Sequence, residues 1–428
     1  MERCPLPHPG FFRDVDLLRV RGGLFFCFFG EEEERGSFSI RAGLWYNGEN
    51  QRRSEIKAVE QFIIIEGQYN QAKVFNPNID EDSYAQIKSM MDREEFKGSK
   101  FRFMPDVHYG KGSTVGTTMT VTDVIVPNFI GVDIGCGVNV TELEINKKEA
   151  SDKKFLRRFD RLVRQTVPLG FDRHARMQKA EMVERDEFLL RDQLDRETYY
   201  TSIGSLGGGN HFIALEAADN GKVYLVIHSG SRNPGHTIAT AYQELADSQH
   251  PDRGRGLGWL TGDLFSQYLH DLELAQRYAF QNRTAMADNI LEAAGLGQRS
   301  RFDTVHNYID LDYMIARKGA ISAQKDEILI IPFNSRDGSV IARGKGNEDW
   351  NYSAPHGAGR TMSRTQAKKR ISLPDYQEMM TDVYSTSVSK RTLDEAPTAY
   401  NPQKEILQLA EPTIEVLEFI RPIYNLKG

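Results

Sequence analysis

The heptapeptide Gly131-Val132-Asp133-Ile134-Gly135-Cys136-Gly137 constrains this chain more than any other stretch. Three of its glycines frame a carboxylate and a thiol three residues apart, and glycine lets the backbone turn tightly and approach a ligand closely. The run Thr117 to Val126 alternates well enough to be a strand and delivers the chain to the heptapeptide through Pro127-Asn128, and Val138 to Ile145 leaves as another strand. Two readings of the turn stand side by side. It is the floor of a metal site, or it is a bend holding a small cysteine that packs as a hydrophobe.

The same pattern recurs downstream. Gly207-Gly208-Gly209-Asn210-His211-Phe212 enters a strand, and Val223 to Ile227 runs into His228-Ser229-Gly230-Ser231-Arg232. His306 follows in Val305-His306-Asn307, and Arg343-Gly344-Lys345-Gly346 opens the loop to Ala354-Pro355-His356-Gly357-Ala358-Gly359-Arg360. Phe62 to Ile65 and Ile328 to Pro332 are short β-branched runs that read as buried strands. Helical spacing marks the region around Tyr84, Ile87 and Met91, the segment of Phe155, Phe159 and Leu162, and a long helix from Leu264 that stops at Ala294-Gly295. Glu181 to Gln193 is read as a further, heavily charged helix. Met104-Pro105-Asp106-Val107-His108-Tyr109-Gly110-Lys111-Gly112 reads as a loop, and an extended chain there would point Asp106 and His108 to one side. The tail from Val416 to Ile423 closes the fold.

These elements predict an α+β fold, one large domain with central β-sheets carrying the turns and helices outside. The domain is expected over residues 58–428. Residues 1–57, an aromatic clump, a Glu run and then Arg52-Arg53, show no sustained period and read as an N-terminal extension, a candidate for disorder. The chain has 428 residues, 39% of them hydrophobic, enough for a sizeable core. Its net charge of -6 means that any nucleic acid must be met by a local basic cleft and not by the whole surface field. Three scattered cysteines argue against a disulfide framework, and no apolar run is long enough to span a bilayer. A cytoplasmic protein without membrane contact is expected.

Asp133, Cys136, His211, His228 and His306 form the candidate ligand set, too many for one tetrahedral ion. A thiolate can bridge two cations, so two divalent ions sharing Cys136, Mn²⁺, Zn²⁺ or similar, is the economical arrangement. Such a pair suits phosphoryl transfer, where it holds attacking and leaving oxygens. The plain alternative is that each histidine is a satisfied core or turn residue. His356 lies among Gly357, Gly359, Arg360 and Arg364, where backbone N–H groups can form an anion nest, so it is either a nucleophile toward phosphorus or a phosphate contact. Arg232, Arg343, Lys345 and the run Lys368-Lys369-Arg370 supply positive charge that would track a nucleic-acid backbone, though such runs are often only solvated faces. Neither a P-loop nor a dinucleotide fingerprint is present.

Five motifs in order, Met104 to His108, Gly131 to Gly137, Gly208 to Phe212, His228 to Arg232 and His356 to Arg360, resemble the RtcB family of GTP-dependent RNA-splicing ligases. The resemblance runs from about Ile64 to Gly428. It implies an enzyme that joins RNA 3′-phosphate or 2′,3′-cyclic phosphate ends to 5′-hydroxyl ends, using GTP and two Mn²⁺ ions, in RNA repair or tRNA splicing. By the same resemblance Cys136 is the bridging thiolate, with Asp133 and His211 completing one metal site and His228 and His306 the other. His356 would become guanylylated, with Asp106 beside the metals as a second catalytic residue. Asn210 and Arg232 would contact phosphate, Gly357 and Gly359 would line the nucleotide site, and Ser339, Tyr400 and Lys427 would contact the guanosine.

The implied reaction has His356 attack the α-phosphorus of GTP with loss of pyrophosphate. GMP then passes to the RNA 3′-phosphate, and the 5′-hydroxyl displaces it. Two departures mark a divergent branch. Ala214 stands where many members carry a guanine-contacting Glu, and Phe333-Asn334-Ser335-Arg336 replaces a Gly-Ser-Met-Gly loop. The first bears on the choice of nucleotide, and the second points toward RNA repair. The competing readings are a dinuclear metal-dependent phosphohydrolase acting on terminal or cyclic phosphates, which needs no His356 or Lys427, and a non-catalytic RNA-binding scaffold. The sequence leaves the oligomeric state open.

Overall fold

The computed structural model describes residues 62–428, so the extension read at residues 1–57 lies outside the described residues. Two large sheets and a small one organise the described chain. The first has six strands in the order Ile63–Glu66, Gln71–Val74, Phe101–His108, Val115–Thr120, Ile315–Lys318, Asn307–Asp310. The second has seven, in the order Ile328–Asn334, Gly338–Gly344, Ile414–Lys427, Phe212–Ala218, Val223–Ser229, Gly137–Leu143, Gln298–Val305, every neighbouring pair antiparallel. Ala320–Ser322 and Ser353–Pro355 make the small third sheet.

The seven-stranded sheet curls until its edges meet, and the Ile330 N–H donates to Thr304 Oγ1 across the seam at 3.2 Å. Its concave side encloses Val138, Val140, Phe212, Ala214, Val226, Ile341 and Ile420. Strands Phe212–Ala218 and Val223–Ser229 are buried on both faces, which is why they read as near-continuous apolar runs and not as alternations. On the convex side, Phe159 and Val163 of helix Lys153–Thr166 pack with Met286 and Ile290 of the long helix Gly262–Ala294. At 33 residues that helix is about 50 Å long. Its first half packs against helix Arg232–Gln249 in a separate core that it shares with the six-stranded sheet. Gly295 ends it in the left-handed conformation (φ 66°), as the sequence predicts. This is the expected α+β domain with sheets inside and helices outside.

Two local expectations are corrected. The stretch Glu181 to Gln193 is not a helix. It is an irregular strap with two single 3₁₀ turns, Arg185–Glu187 and Arg191–Gln193. Its buried residues Val183, Phe188 and Leu194 are five and six positions apart, a spacing that no helical face brings together. Its backbone is satisfied by the long helix instead: Gln281 Oε1 accepts from the Glu181 and Met182 N–H groups (2.7 and 2.6 Å), and the Asp271 carboxylate accepts from Leu189 and Leu190 (2.8 and 3.1 Å). Second, Met104 to His108 is not loop but the end of strand Phe101–His108. Pro105 is tolerated because the pairing with Val115–Thr120 is interrupted between Phe103 and His108.

Two crossings between the large sheets and one end of the small sheet meet at one place. Val126 to Cys136 passes from the six-stranded sheet to the seven-stranded one, and His306 is the single residue between Val305 of one and Asn307 of the other. His356 follows directly on the small sheet, whose partner strand is anchored by an Ala320 N–H donated to the His306 carbonyl (3.3 Å).

Candidate active site and metal centre

The turn of residues 131–136 places Asp133 and Cys136 on one side, with Gly131 and Gly135 at φ 93° and 70° where an L side chain would be strained. Cys136 is 3% exposed. Its Sγ lies 3.5 Å from His211 Nε2 and 3.3 Å from His228 Nε2. His211 Nε2 is also 3.0 Å from Asp133 Oδ2, and His228 Nε2 is 3.3 Å from His306 Nε2. The donor atoms of Cys136, His211 and His228 all fall within 4.8 Å of one another. All five predicted metal ligands therefore converge, with Asp133 and His211 on one flank of the sulfur and His228 and His306 on the other.

That arrangement fits a metal. Ligand atoms on a tetrahedral ion with bonds of roughly 2.0–2.3 Å are about 3.3–3.8 Å apart, close to the spacings seen here. One thiolate, three imidazoles and a carboxylate form a borderline donor set suited to divalent transition ions. The backbone fixes the ligands: the His306 N–H donates to the Cys136 carbonyl (2.9 Å), and His211 Nδ1 meets the Leu206 carbonyl (2.9 Å), turning Nε2 toward the cluster.

Charges follow from this packing. The surrounding protein opposes ionisation of Asp133, but its contacts with His211 hold the carboxyl down at about 2. Burial, then the neighbouring Asp133 charge, pushes the Cys136 thiol well above its usual value. Burial, then the neighbouring imidazoles, drives His228 and His306 well below theirs, so both are neutral and free to ligate.

His356 completes the cluster. Its ring centroid is 5.0 Å from that of His306, and its Nδ1 lies 2.6 Å from Asp106 Oδ2, a close approach not aligned as a hydrogen bond. Asp106 is 1% exposed, accepts the Gly357 N–H at 3.2 Å, and keeps its other oxygen unpartnered. A Cβ on Gly359, itself at φ 66°, would strike the Asp106 backbone, so the glycines of the His356 loop permit this approach. His108 Nδ1 sits against the Asp106 carbonyl (2.9 Å).

The other predicted residues divide. Arg232, at φ 55° and so in backbone strain, donates to Ser205 Oγ (3.2 Å) and the Gly170 carbonyl (3.0 Å), while the next residue back, Ser231, donates its N–H to Asp133 (3.1 Å). Asn210 is exposed in the turn before His211. Tyr400 and Lys427 meet at a residue the sequence reasoning missed, Glu395: Lys427 Nζ (2.8 Å) and the Tyr400 hydroxyl (2.7 Å) both donate to its Oε2, and Arg364 donates to Oε1 (2.5 Å). Burial opposes the Glu395 charge, but the Lys427 and Arg364 cations prevail and hold it at about 2. Ser339 is not brought to this group. It is buried inside the curled sheet, and no hydrogen bond or ion pair joins it to the other predicted residues. Arg283 was missed too: fully buried, it forks onto Asp303 (2.8 and 2.6 Å) and donates to the carbonyls of Gly135 and Ser229 (2.7 and 2.8 Å), clamping both ligand-bearing turns. No composition or glycine signal announces Glu395 or Arg283.

Fold and site together define an α+β protein with a buried cysteine–histidine cluster that could hold a metal ion, next to a histidine facing a buried carboxylate. A family model described as tRNA-splicing ligase RtcB matches residues 90–193 and 186–428, and the chain belongs to the RtcB family. The chain is 30% identical to RNA-splicing ligase RtcB of Escherichia coli (strain K12), a match covering 76% of this chain and 89% of that protein. It is 25% identical to the tRNA-splicing ligases RtcB of Aeropyrum pernix (76% and 87% covered) and Methanococcus maripaludis (78% and 88%). No helix among the described residues is long and apolar enough to cross a membrane.

Proposed function

We propose that this chain is an RNA ligase that uses GTP and two Mn²⁺ ions to join 3′-phosphate or 2′,3′-cyclic phosphate ends to 5′-hydroxyl ends through a covalent His356–GMP intermediate. Family membership supports ligation of RNA, and the observation that carries the finer reading is the place of His356, facing Asp106 and with its ring tilted against that of His306 at the edge of the ligand cluster. With the Asp106 carboxylate facing Nδ1, the ring proton sits on that nitrogen and the Nε2 lone pair is left to attack phosphorus. The His356–phosphorus bond forms as the bond to pyrophosphate breaks. Asp133, Cys136, His211, His228 and His306 are the residues that would hold the ions, which supply screening of phosphate charge. Arg232 and Asn210 are assigned to phosphate, Gly357 and Gly359 to the nucleotide loop. Lys427 and Tyr400 are assigned to the guanosine with Glu395 between them. Ser339 keeps its assignment only if the nucleotide reaches the mouth of the curled sheet. A phosphohydrolase would have no use for the His356–Asp106 pair.

Residues 58–428 are proposed as the catalytic domain and 1–57 as its extension. The role is RNA repair or tRNA splicing. Repair is favoured by the turn of residues 333–336, closed by Asn334 Oδ1 accepting the Arg336 and Asp337 N–H groups (3.0 and 2.9 Å), whereas Ala214, buried opposite Asn425, offers no guanine acceptor and bears on nucleotide choice. The test is incubation with α-labelled GTP and Mn²⁺. Acid-labile label on the wild-type protein, absent from His356→Ala that still holds metal, is expected; label that survives the substitution would sink the proposal.

A further inference from the structure

Past His108 the chain turns through Tyr109-Gly110-Lys111-Gly112 and walls one side of a cavity of about 240 Å³. Helix Glu81–Met91 and the loop Arg255-Gly256-Leu257 supply the rest. The walls are fixed: Gln86 and Gly110 exchange two hydrogen bonds (2.7 and 3.2 Å), and Asn128 donates to the Gly256 carbonyl (2.9 Å). From beneath, the buried Lys318 ammonium donates to the carbonyls of Lys111, Ser113 and Asn128, the last two at 3.0 Å. Arg93 is consumed in the wall by Glu95 and the Leu257 carbonyl. The rim is different. The Tyr109 ring is 62% exposed, and Lys111 and Arg255 are exposed with no ion-pair partner among the described residues.

Two unpaired cations and a bare aromatic ring around a small hollow are the parts of a site for an unpaired nucleic-acid strand, with stacking for a base and charge for its phosphates. At about 240 Å³ the cavity falls below the roughly 300–1,000 Å³ of sites that enclose a whole small ligand, so it suits one unit of a polymer. In a chain of net charge -6 such a local patch is where a polyanion can be met. Tyr109 is three residues from Asp106, at most about 10 Å of extended chain, so a base resting on it belongs to the first few nucleotides from His356.

We propose that this cavity is a subsite for single-stranded RNA whose end lies at His356, with Tyr109 stacking a base and Lys111 and Arg255 holding the adjoining phosphates. It rests on the ligase reading above. The test titrates the full chain with fluorescent 12-nucleotide single-stranded RNA, one strand ending in a 3′-phosphate and another beginning with a 5′-hydroxyl. Tyr109→Ala and Lys111→Gln/Arg255→Gln should each weaken binding of at least one strand about tenfold, and the double substitution should flatten the salt dependence by roughly 1.4 units of slope. GMP uptake by His356 should stay as in wild type, which also reports that the variants are folded. Arg157→Glu/Arg158→Glu, a charge change on helix Lys153–Thr166, should leave binding unchanged. Wild-type affinity for both strands in the cavity variants overturns the subsite, as does equal weakening by the helix control. A wild-type chain that binds RNA through the cavity but takes up no GMP overturns the ligase reading and leaves the subsite standing.

Discussion

Glu216 is buried at 2% exposure inside the curled sheet, and burial drives its carboxyl up to about 8 against the opposing influence of the Ser339 hydroxyl. A group whose folded value is raised binds more protons folded than unfolded between the ordinary carboxylate range and about 8. The wild type must therefore lose stability as pH rises through that window. Glu216→Gln removes the penalty: urea unfolding should show the variant equal to wild type near pH 5 and more stable by at least about 1 kcal/mol at pH 9. An equal pH slope in both proteins would show that Glu216 is not the group responsible. Arg283 poses the converse case. Arg283→Met would strand the Asp303 carboxylate and two carbonyls, costing about 3–5 kcal/mol, and would lower bound metal because Gly135 and Ser229 lose their clamp. Cys136, with glycine on both sides, and His211 and His228, at strand ends next to glycine turns, were legible in the sequence because those glycines marked places where backbone must bend around something. His306, between Val305 and Asn307, carried no such mark. Arg283, Glu395 and Lys318 were not legible, because a buried cation or carboxylate in an ordinary helix, strand or turn looks like any solvated charge until its partner is seen.

The long helix Gly262–Ala294 does more than cover the sheets. Its polar residues face inward and hold other segments by their backbones: Asn282 accepts the N–H groups of Gly204 and Ser205 (2.8 and 3.1 Å) and donates to the carbonyls of Ser205 and Gly230 (both 3.1 Å). The turn before the strand of His211 and the turn after that of His228 are thus set from one helix. Asn282→Leu should destabilise the protein by about 2–4 kcal/mol, as several buried groups lose their partners. Hydrogen exchange should accelerate at Gly204 and Ser205 while amides in the middle of the helix stay protected; uniform acceleration would mean global loosening instead. The ends of this helix could be read from its 3.6-residue period and Gly295. The strap of residues 181–193 could not, because its conformation is imposed by Gln281 and Asp271, far away in sequence. Likewise Pro105 spoke for a loop, and only the interrupted ladder beside it shows how a strand accommodates the ring.

At the scale of the molecule, the five metal-type donors come from four separate segments and meet where the sheets cross. An ion there ties both large sheets together, so its binding is coupled to the stability of the whole. Mn²⁺ at about 100 times its dissociation constant should raise the unfolding free energy by about 2.7 kcal/mol per site, with no such rise in Cys136→Ala. A melting temperature indifferent to the ion in the wild type would argue that nothing binds between the sheets. The strand Ile414–Lys427 has a consequence of another kind. It lies between Gly338–Gly344 and Phe212–Ala218 in mid-sheet, so two hundred residues of earlier chain wait for it. Until that strand is laid in, the curled sheet stays an open clasp, and a chain cut short before Ile414 would hold all five predicted ligands yet be unable to shut around them.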